Sequence, residues 1–237
     1  MMQPFDHRSF LFASTGAAAG TLLVSGLADA EEPGAVDFSH SGLVTGQPKI
    51  LKHKEFPGFL SASQIAPHHT AHYGGALKAV VAADAKLEES TKSGAAIDPA
   101  AFAHLKRLIN SRGNSVILHE FYFDGMSPQT IAPSRTLRTA IEQRFGSIEK
   151  WSADFTASAK EAAGWTMLVK HPVNGKLYNV VSDEHAMGIL WMAKPLIVID
   201  TYEHAFYVDY QNRKPEYVEK FLDHIDWTES EARFNSA

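Results

Sequence analysis

The sequence predicts an α+β protein: an N-terminal helical hairpin followed by a mixed domain with a three-stranded antiparallel sheet and surrounding helices. Apolar residues recur with helical spacing between residues 61 and 123. After residue 163 the pattern changes to short runs rich in β-branched residues, and Asn174-Gly175 between two of these runs is a strong hairpin-turn signal. The chain has 237 residues, 45% of them hydrophobic, so it is long enough to bury a functional site.

Residues 1–30 are typical of an export signal. Arg8 precedes an uncharged stretch rich in apolar and small residues (9–27), and residues 28–30 have the form of an A-x-A cleavage site. His7-Arg8 resembles a twin-arginine signal in which histidine replaces the first arginine, and Sec export remains open. A membrane anchor is the alternative, but Gly and Ala make this stretch weakly hydrophobic, whereas a span needs about 20 strongly apolar residues. We expect an exported protein, in the periplasm or outside the cell, with no membrane association after signal removal.

An irregular N-terminal arm is predicted for residues 31–57, which hold Gly, Pro and Ser without clear periodicity. A helical hairpin domain, residues 58–126, follows with predicted helices at 61–92 and 98–123. Ser61 and Gln64 have the spacing of an S-x-x-Q capping box at the start of the first helix. We expect a bend in this helix at Pro67 or at Gly74-Gly75.

The C-terminal α/β domain, residues 127–237, alternates helix and strand patterns. Ser134 and Ser147 are the predicted N-caps of two helices that are separated by Gly146. Strand-like runs and two closing helices come next. The predicted elements are helices at 134–145 and 147–163, strands at 165–170, 177–181 and 196–199, and helices at 203–212 and 216–225.

The composition restricts the kind of site that the chain can build. A net charge of -5 disfavours nucleic acid as a partner. The absence of cysteine excludes disulfides, iron–sulfur clusters and thiolate zinc sites. A metal site must therefore use imidazole and carboxylate groups, which the 12 histidines make feasible.

Four residues have the chemistry and the predicted placement of metal ligands. Asp200 ends a buried apolar strand, and His204 converges on it if the chain turns into a helix there. His68 and His72 are four residues apart and share a helix face, whereas His69 points about 100° away. His119 lies in an apolar and aromatic run, where a histidine is costly to desolvate. His119 alone indicates no more than a hydrogen-bonded core residue, but three histidines and one aspartate together suit iron or manganese.

Several segments resemble motifs of the iron and manganese superoxide dismutases. Residues 200–207, DTYEHAFY, resemble the D-x-W-E-H-A-Y-Y signature of that family, and residues 68–72, HHTAH, resemble its H-H-x-K-H segment. Further resemblances lie at 119–123 (H-x-F-Y-W), 164–169 (G-W-x-W-L-V) and 209–217 (D-Y-x-N-x-R-P-x-Y). The resemblance extends from about residue 61 to residue 227. It implies a homodimeric enzyme that converts superoxide to oxygen and hydrogen peroxide by redox cycling of one iron or manganese ion per subunit.

The resemblance also implies roles for individual residues. The metal ligands are His68, His119, Asp200 and His204. Glu203 is expected to reach across the dimer interface to His204 of the partner subunit. The resemblance implies catalytic roles for His185 (in place of a glutamine), His72 (a channel histidine) and Tyr207. It implies that Trp165, Tyr202 and Tyr122 support the metal site. It also implies that Arg213 and Lys214 steer the substrate.

Each of these roles has a simpler alternative. His185 is otherwise a loop histidine, Trp165 a core residue, and Glu203 an acid that favours the start of a helix. Arg213 and Lys214 are otherwise a solvated basic helix start.

Three departures from the family pattern support a second hypothesis. Ala76 occupies the position of the gateway tyrosine, for which Tyr73 is a possible substitute; Ser115 occupies a glutamine position, and Tyr202 that of a tryptophan. The alternative is therefore an exported metal-binding relic of the fold with little or no turnover. A mononuclear iron oxygenase is a third hypothesis, but such enzymes use two histidines and one carboxylate, and this chain offers a third histidine.

Overall fold

A computed structural model describes residues 36–94, 96, 98–188 and 190–236. The predicted export signal, residues 1–30, lies outside the described residues. Among the described helices, none combines the length and the apolar character needed to cross a membrane.

The N-terminal half is the predicted helical hairpin. Its elements are α1 (Gly42–Thr45), α2 (Ala62–Pro67), a π-helical turn (His68–Tyr73), α3 (Gly74–Lys92) and α4 (Pro99–Asp124). Asp98 caps α4 by accepting hydrogen bonds from the N–H groups of Ala100 and Ala101. The long helices α3 and α4 pack along each other and bury Leu77, Val80 and Val116 between them and the rest of the core.

The predicted bend takes the form of the π-helical turn between α2 and α3. Pro67 ends α2 and has no N–H to donate to the preceding turn, which locally loosens the helical hydrogen-bond pattern. The chain then continues with wider turns over six residues before α3 begins at Gly74. Such π turns are uncommon and are frequent at functional sites. Here the turn holds a histidine triplet, His68, His69 and His72.

The C-terminal half contains the predicted sheet. Its elements are α5 (Arg135–Phe145), α6 (Ile148–Glu161), β1 (Trp165–Lys170), β2 (Leu177–Ser182), β3 (Lys194–Asp200), a 3₁₀ turn (Glu203–Ala205), α7 (Tyr207–Tyr210), α8 (Lys214–Asp223) and α9 (Trp227–Asn235). The strand order is β2-β1-β3, and both pairings are antiparallel. Ser134 and Ser147 cap α5 and α6, as predicted. The turn between β1 and β2 uses Gly175 at φ +66°, a left-handed conformation that favours glycine.

The prediction of two closing helices was wrong in two respects. The expected helix at 203–212 is broken, because Phe206 leaves helical geometry at φ -141° and divides the segment into the 3₁₀ turn and α7. The last helix, α9, was not predicted. Asp226 caps it by accepting from the N–H groups of Thr228 and Glu229, and this local signal is visible in the sequence.

The described part of the N-terminal arm is irregular apart from α1, and it packs on the helical hairpin. Phe56 is buried in the main core. The N–H of Gly42 donates to Glu120, and the ammonium of Lys49 forms an ion pair with Asp124 at 2.6 Å. These contacts fix the arm to the C-terminal end of α4.

Arg233 joins α9 to α4 and β3, and its replacement by Met should destabilise the fold. The side chain is 2% exposed and donates to the carbonyl oxygens of Phe121 and Leu196. Replacement removes these buried bonds and leaves Glu229 without its partner on Arg233, so we expect the free energy of unfolding to fall by about 3 kcal/mol. Urea unfolding measures this change.

Arg138→Met provides the matched control, since Arg138 forms an exposed ion pair with Glu142. It should leave the free energy of unfolding nearly unchanged. Equal stability of the two variants would contradict the role of Arg233.

Candidate metal centre

Four side chains converge at the junction of the two halves of the chain. The Nε2 atoms of His68, His204 and His119 lie 3.1, 3.2 and 3.7 Å from Oδ2 of Asp200. One potential ligand atom from each residue lies within 4.8 Å of all the others. His68, His119 and Asp200 are buried, and His204 is partly exposed. The cluster is therefore compact enough for one ion.

Each member of the cluster comes from a different element. His68 begins the π-helical turn, and His119 lies on the last turns of α4. Asp200 is the last residue of β3 and is paired in register with Trp165 of β1. His204 lies in the 3₁₀ turn, which brings its ring back to Asp200. The turn that follows Asp200, inferred from the sequence, is present, although it is a 3₁₀ turn.

Burial and hydrogen bonding keep the cluster in the protonation state that a metal requires. Burial lowers the pKa of His68 and lowers that of His119 to about 3. Burial alone would raise the pKa of Asp200, but hydrogen bonds with His204 and His68 outweigh it and hold that pKa well below the usual range. His68 and His119 are therefore neutral imidazoles beside an ionised carboxylate, as metal binding demands.

One buried nitrogen is direct evidence that the cluster suits a cation. Nδ1 of His119 lies 2.7 Å from the carbonyl oxygen of Ser115 and must donate to it, so Nε2 carries a lone pair. That Nε2 is buried and has no hydrogen-bond partner among the described residues. A cation bound between His119 and Asp200 would satisfy it. Three imidazoles and one carboxylate are a donor set that fits iron or manganese.

The structure places His72 beside the cluster. Its ring stacks on that of His204 with centroids 3.8 Å apart, and it lies 6.1 Å from the ring of His68. Burial, followed by the charge of His204, lowers its pKa to about 4. His69 turns away and bonds the carbonyl of Lys49. His72 thus covers an exposed side of His204 without belonging to the cluster.

Trp165, His185 and Tyr202 form the wall of the site on the sheet side. The Trp165 ring lies edge-on to His119 at 5.1 Å, and its Nε1–H donates to Nδ1 of His185 at 3.0 Å. Since Nδ1 of His185 accepts, its proton resides on Nε2, and burial favours this neutral form by lowering the pKa. Tyr202 stacks on His204 at 5.3 Å. His185 therefore presents an N–H donor 6.3 Å, ring to ring, from His119.

Two tyrosines support Asp200 from behind. Tyr122 contacts His68 at 5.4 Å, ring to ring, and its hydroxyl bonds that of Tyr217 at 3.0 Å. Tyr217 in turn donates to the backbone carbonyl of Asp200 at 2.7 Å. Tyr217 was given no role from the sequence, although its place in the 209–217 motif was a signal. It ties α8 to the end of β3.

Gln64 has a role that the capping-box prediction missed. Ser61 does accept from the N–H of Gln64, but the Gln64 side chain does not return to Ser61. Its Nε2 donates to the carbonyl of His204 at 2.6 Å, and its Oε1 accepts from the N–H of Val208 at 2.9 Å. These backbone groups lie in a broken helix and need partners. The side-chain amide of Gln64 supplies both of them.

Tyr73 does not replace the missing gateway tyrosine. Its hydroxyl donates to Glu120 at 2.9 Å and accepts from the N–H of Lys49 at 2.8 Å, so it is committed to the arm. Ala76 is buried in α3. A Cβ on Gly42 would approach the Tyr73 hydroxyl to 2.8 Å, and glycine is therefore needed there. The arm braces both ligand-bearing helices through this cluster.

Arg213 and Lys214, the two residues predicted to steer the substrate, both bond neighbouring groups. Arg213 forms an ion pair with Glu216 at 2.9 Å and donates to the carbonyl of Asp209. The ammonium of Lys214 donates to the carbonyl of Ala162, and burial lowers its pKa. Glu203 and Tyr207 are exposed, and within the described residues the Glu203 carboxylate has no hydrogen-bond partner.

The fold and cluster define a mononuclear metalloprotein with a three-histidine, one-aspartate site, and comparison with known proteins identifies its family. Residues 133–233 match the family model described as the C-terminal domain of iron/manganese superoxide dismutases. A superoxide dismutase named for manganese from Haloferax volcanii is 33% identical over 179 residues, 75% of this chain and 88% of the relative.

Two relatives named for iron are similar to the chain at the same level. The superoxide dismutase of Cupriavidus metallidurans is 35% identical over 181 residues, which cover 75% of this chain and 90% of the relative. That of Aquifex aeolicus is 35% identical over 196 residues, which cover 81% and 92%. The chain belongs to the iron/manganese superoxide dismutase family.

Stability should fall as the pH is lowered from 7 to 5. Folded His68 and His119 stay neutral because their pKa values are lowered, whereas in the unfolded chain they bind protons below about pH 6.5. Each of these two histidines therefore lowers the free energy of unfolding by up to about 1.4 kcal/mol for every pH unit below that value. Asp200 contributes no slope here, since its lowered pKa matters only below about pH 4.

Urea unfolding of the metal-loaded protein between pH 7 and pH 5, with metal release followed in parallel, measures this dependence. We expect the metal to be released at the pH and urea concentration at which the protein unfolds. A constant free energy of unfolding over this range would contradict the prediction.

Proposed function

We propose that the protein is a superoxide dismutase that uses one iron or manganese ion per subunit. The observation that carries this proposal is the convergence of His68, His119, Asp200 and His204 in a chain of this family. A bound iron or manganese ion would supply one-electron redox chemistry, by which one superoxide is oxidised to oxygen and another is reduced to hydrogen peroxide. We assign the four residues as its ligands.

The chain's own residues serve the reaction by orienting the ligands and by positioning a proton. Ser115 fixes His119 through its carbonyl, and Gln64 fixes the turn that carries His204. We assign His185 the place of the family's glutamine, because its Nε2–H is available once Trp165 has bonded Nδ1. His72 and Tyr207 stand on the exposed side, where the substrate enters. Trp165, Tyr202 and Tyr122 exclude water from the buried sides.

The relic hypothesis is not favoured. Ser115 is small, but the ring of His185 lies 6.3 Å from that of His119, and we assign it the donor role. Tyr202 is smaller than a tryptophan, yet it still stacks on His204. Of the three departures, Ala76 alone has no compensating side chain among the described residues, because Tyr73 is committed elsewhere.

The decisive measurement is the rate of superoxide dismutation per bound metal, on protein from residue 31 loaded separately with iron and with manganese. We expect a fast rate with at least one metal, and the ratio identifies the preferred one. A negligible rate with both metals, in fully loaded protein, would overturn the proposed dismutase function and support the metal-binding relic.

His119→Ala should abolish metal retention, because it removes the ligand with the unsatisfied Nε2. His104→Ala removes an exposed histidine from the same helix and should retain one equivalent. Metal content after gel filtration, measured by elemental analysis, distinguishes the two. One equivalent of metal bound by His119→Ala would contradict the ligand assignment.

We infer that the protein is a homodimer whose interface includes Glu203, with its carboxylate on His204 of the partner subunit. Glu203, Tyr207 and Val208 form an exposed patch next to His204 and His72. A free carboxylate and two large apolar side chains beside a metal ligand favour a second subunit there.

Glu203→Gln should then weaken dimerisation and metal retention, whereas Glu55→Gln, a change at an exposed acid of the arm, should affect neither. Sedimentation equilibrium and metal analysis measure both effects. A monomeric wild-type protein with full metal content would exclude this interface.

We further infer that residues 1–30 direct export to the periplasm or the exterior, on the basis of their apolar stretch and the A-x-A site. Sequencing the N-terminus of the protein secreted by a bacterial host tests this, and Glu31 is the expected first residue. Retention of the uncleaved chain in the cytoplasm would contradict it.

A further inference from the structure

An apolar cavity of about 210 Å³ lies beside His185, between α4, the sheet and the segment that joins β2 to β3. None of the four residues of the metal cluster is among the described residues that line it. Its most buried lining residues come from α4 and β1 and are Leu118, Met167 and Val169. Its partly exposed lining residues include Asn114, Val180, His185 and Ala193. The cavity is therefore separate from the cluster but shares His185 with the wall of the metal site.

The lining selects an uncharged, apolar molecule. Of the described residues that line the cavity, eight are apolar, two are polar (His185 and Asn114), and none is Asp, Glu, Lys or Arg. A water molecule needs about two to four polar partners, so water in this cavity is poorly held. An apolar group that displaces such water gains affinity. Since an apolar cavity of about 150 Å³ accommodates benzene, one aromatic ring fits here.

His185 gives this apolar cavity one uncommitted hydrogen-bond donor. Its Nδ1 accepts from Nε1–H of Trp165 at 3.0 Å, so the proton of the neutral ring is on Nε2. That N–H forms no hydrogen bond with any described residue, and Nε2 is not fully buried. The Asn114 amide, by contrast, already donates to Asn110 at 3.2 Å. A single polar group in an apolar pocket fixes the orientation of a ligand, so the ligand should carry an acceptor.

Large apolar side chains are exposed next to the cavity along the chain. The segment that supplies Leu190 and Ala193 to the lining also holds Met187, Trp191 and Met192, which are all exposed. The Trp191 side chain is 87% exposed. Clustered apolar exposure of this kind is typical of ligand-binding surfaces. It gives an apolar molecule a favourable surface on which to approach the cavity.

We propose that this cavity binds an uncharged, single-ring aromatic compound with a carbonyl oxygen, which accepts the Nε2–H of His185. The regulatory part of this inference rests on the proposed function, in which His185 is the hydrogen-bond donor of the metal site, 6.3 Å ring to ring from His119. One N–H donates well to only one acceptor at a time. A ligand in the cavity therefore withdraws this donor from the metal centre and slows dismutation.

The test of binding combines two probe compounds with two forms of the metal-loaded protein. Acetophenone carries the carbonyl acceptor, and α-methylstyrene has the same shape with CH₂ in place of the oxygen. Equilibrium dialysis measures both dissociation constants for wild type and His185→Leu. We expect the dissociation constant of acetophenone to rise about three- to tenfold in His185→Leu, the effect of one lost hydrogen bond. That of α-methylstyrene should not rise, and this comparison isolates the hydrogen bond from the general effect of the substitution.

A cavity-filling variant tests the location of the site. Ala193→Phe places a large ring in the lining and should abolish saturable binding of both compounds. Ala85→Phe makes the same change at an exposed alanine of α3 and should bind both compounds as the wild type does.

The dismutation rate per bound metal, with each compound at saturation, tests the regulatory part. Acetophenone should lower the rate at least twofold, whereas α-methylstyrene should leave it unchanged. An unchanged rate with acetophenone bound would overturn the regulatory part. Absence of saturable binding of either compound to wild type, or equal changes of both dissociation constants in His185→Leu, would overturn the binding site itself. If the wild type binds acetophenone as expected but has no dismutase activity, the proposed function fails and the binding site stands.

Discussion

The rest of the structure depends on one buried carboxylate, that of Asp200, and on the three imidazoles around it. A buried charge without compensation is very costly, and even a well-paired one adds little net stability. The groups around Asp200 therefore have to be held in place by the fold rather than hold the fold together. His68 and His119 come from the helical hairpin, and His204 from the 3₁₀ turn, so the site exists only if both halves are packed correctly.

Hydrogen bonds behind the cluster hold its four side chains in position. Two polar groups of Asp200 have partners outside the cluster: its Oδ1 accepts from the N–H of Tyr202, and its carbonyl accepts from Tyr217. Gln64 holds the turn that carries His204. These bonds run between elements distant in sequence, so a displacement of any one element moves a ligand.

Local chemistry explains which parts of the fold were predictable from the sequence. Asp98, Ser134 and Ser147 mark helix starts because each cap acts within three residues, and Asn174-Gly175 marks a turn for the same reason. The helix expected at 203–212 failed because its break is fixed by contacts with Gln64, 140 residues away along the chain. For the site, the approximate spacing of His68, His119, Asp200 and His204 was readable, whereas the partners Gln64 and Tyr217 required the tertiary structure.

Under the proposed function, the departures from the family pattern amount to a change in where the proton donor comes from. A glutamine on α4 would stand at Ser115, whose hydroxyl lies 3.3 Å from Nδ1 of His119 and not on the Nε2 side of the ring that faces Asp200. His185 approaches from the loop after β2, and the indole of Trp165 fixes its tautomer so that Nε2 carries the proton. Unlike a glutamine, an imidazole can titrate, but burial lowers its pKa and keeps it neutral near pH 7. Among the nearby charges, Asp200 and Glu184 raise that pKa and Arg112 lowers it, so the neutral form depends on burial first and on this charge balance second.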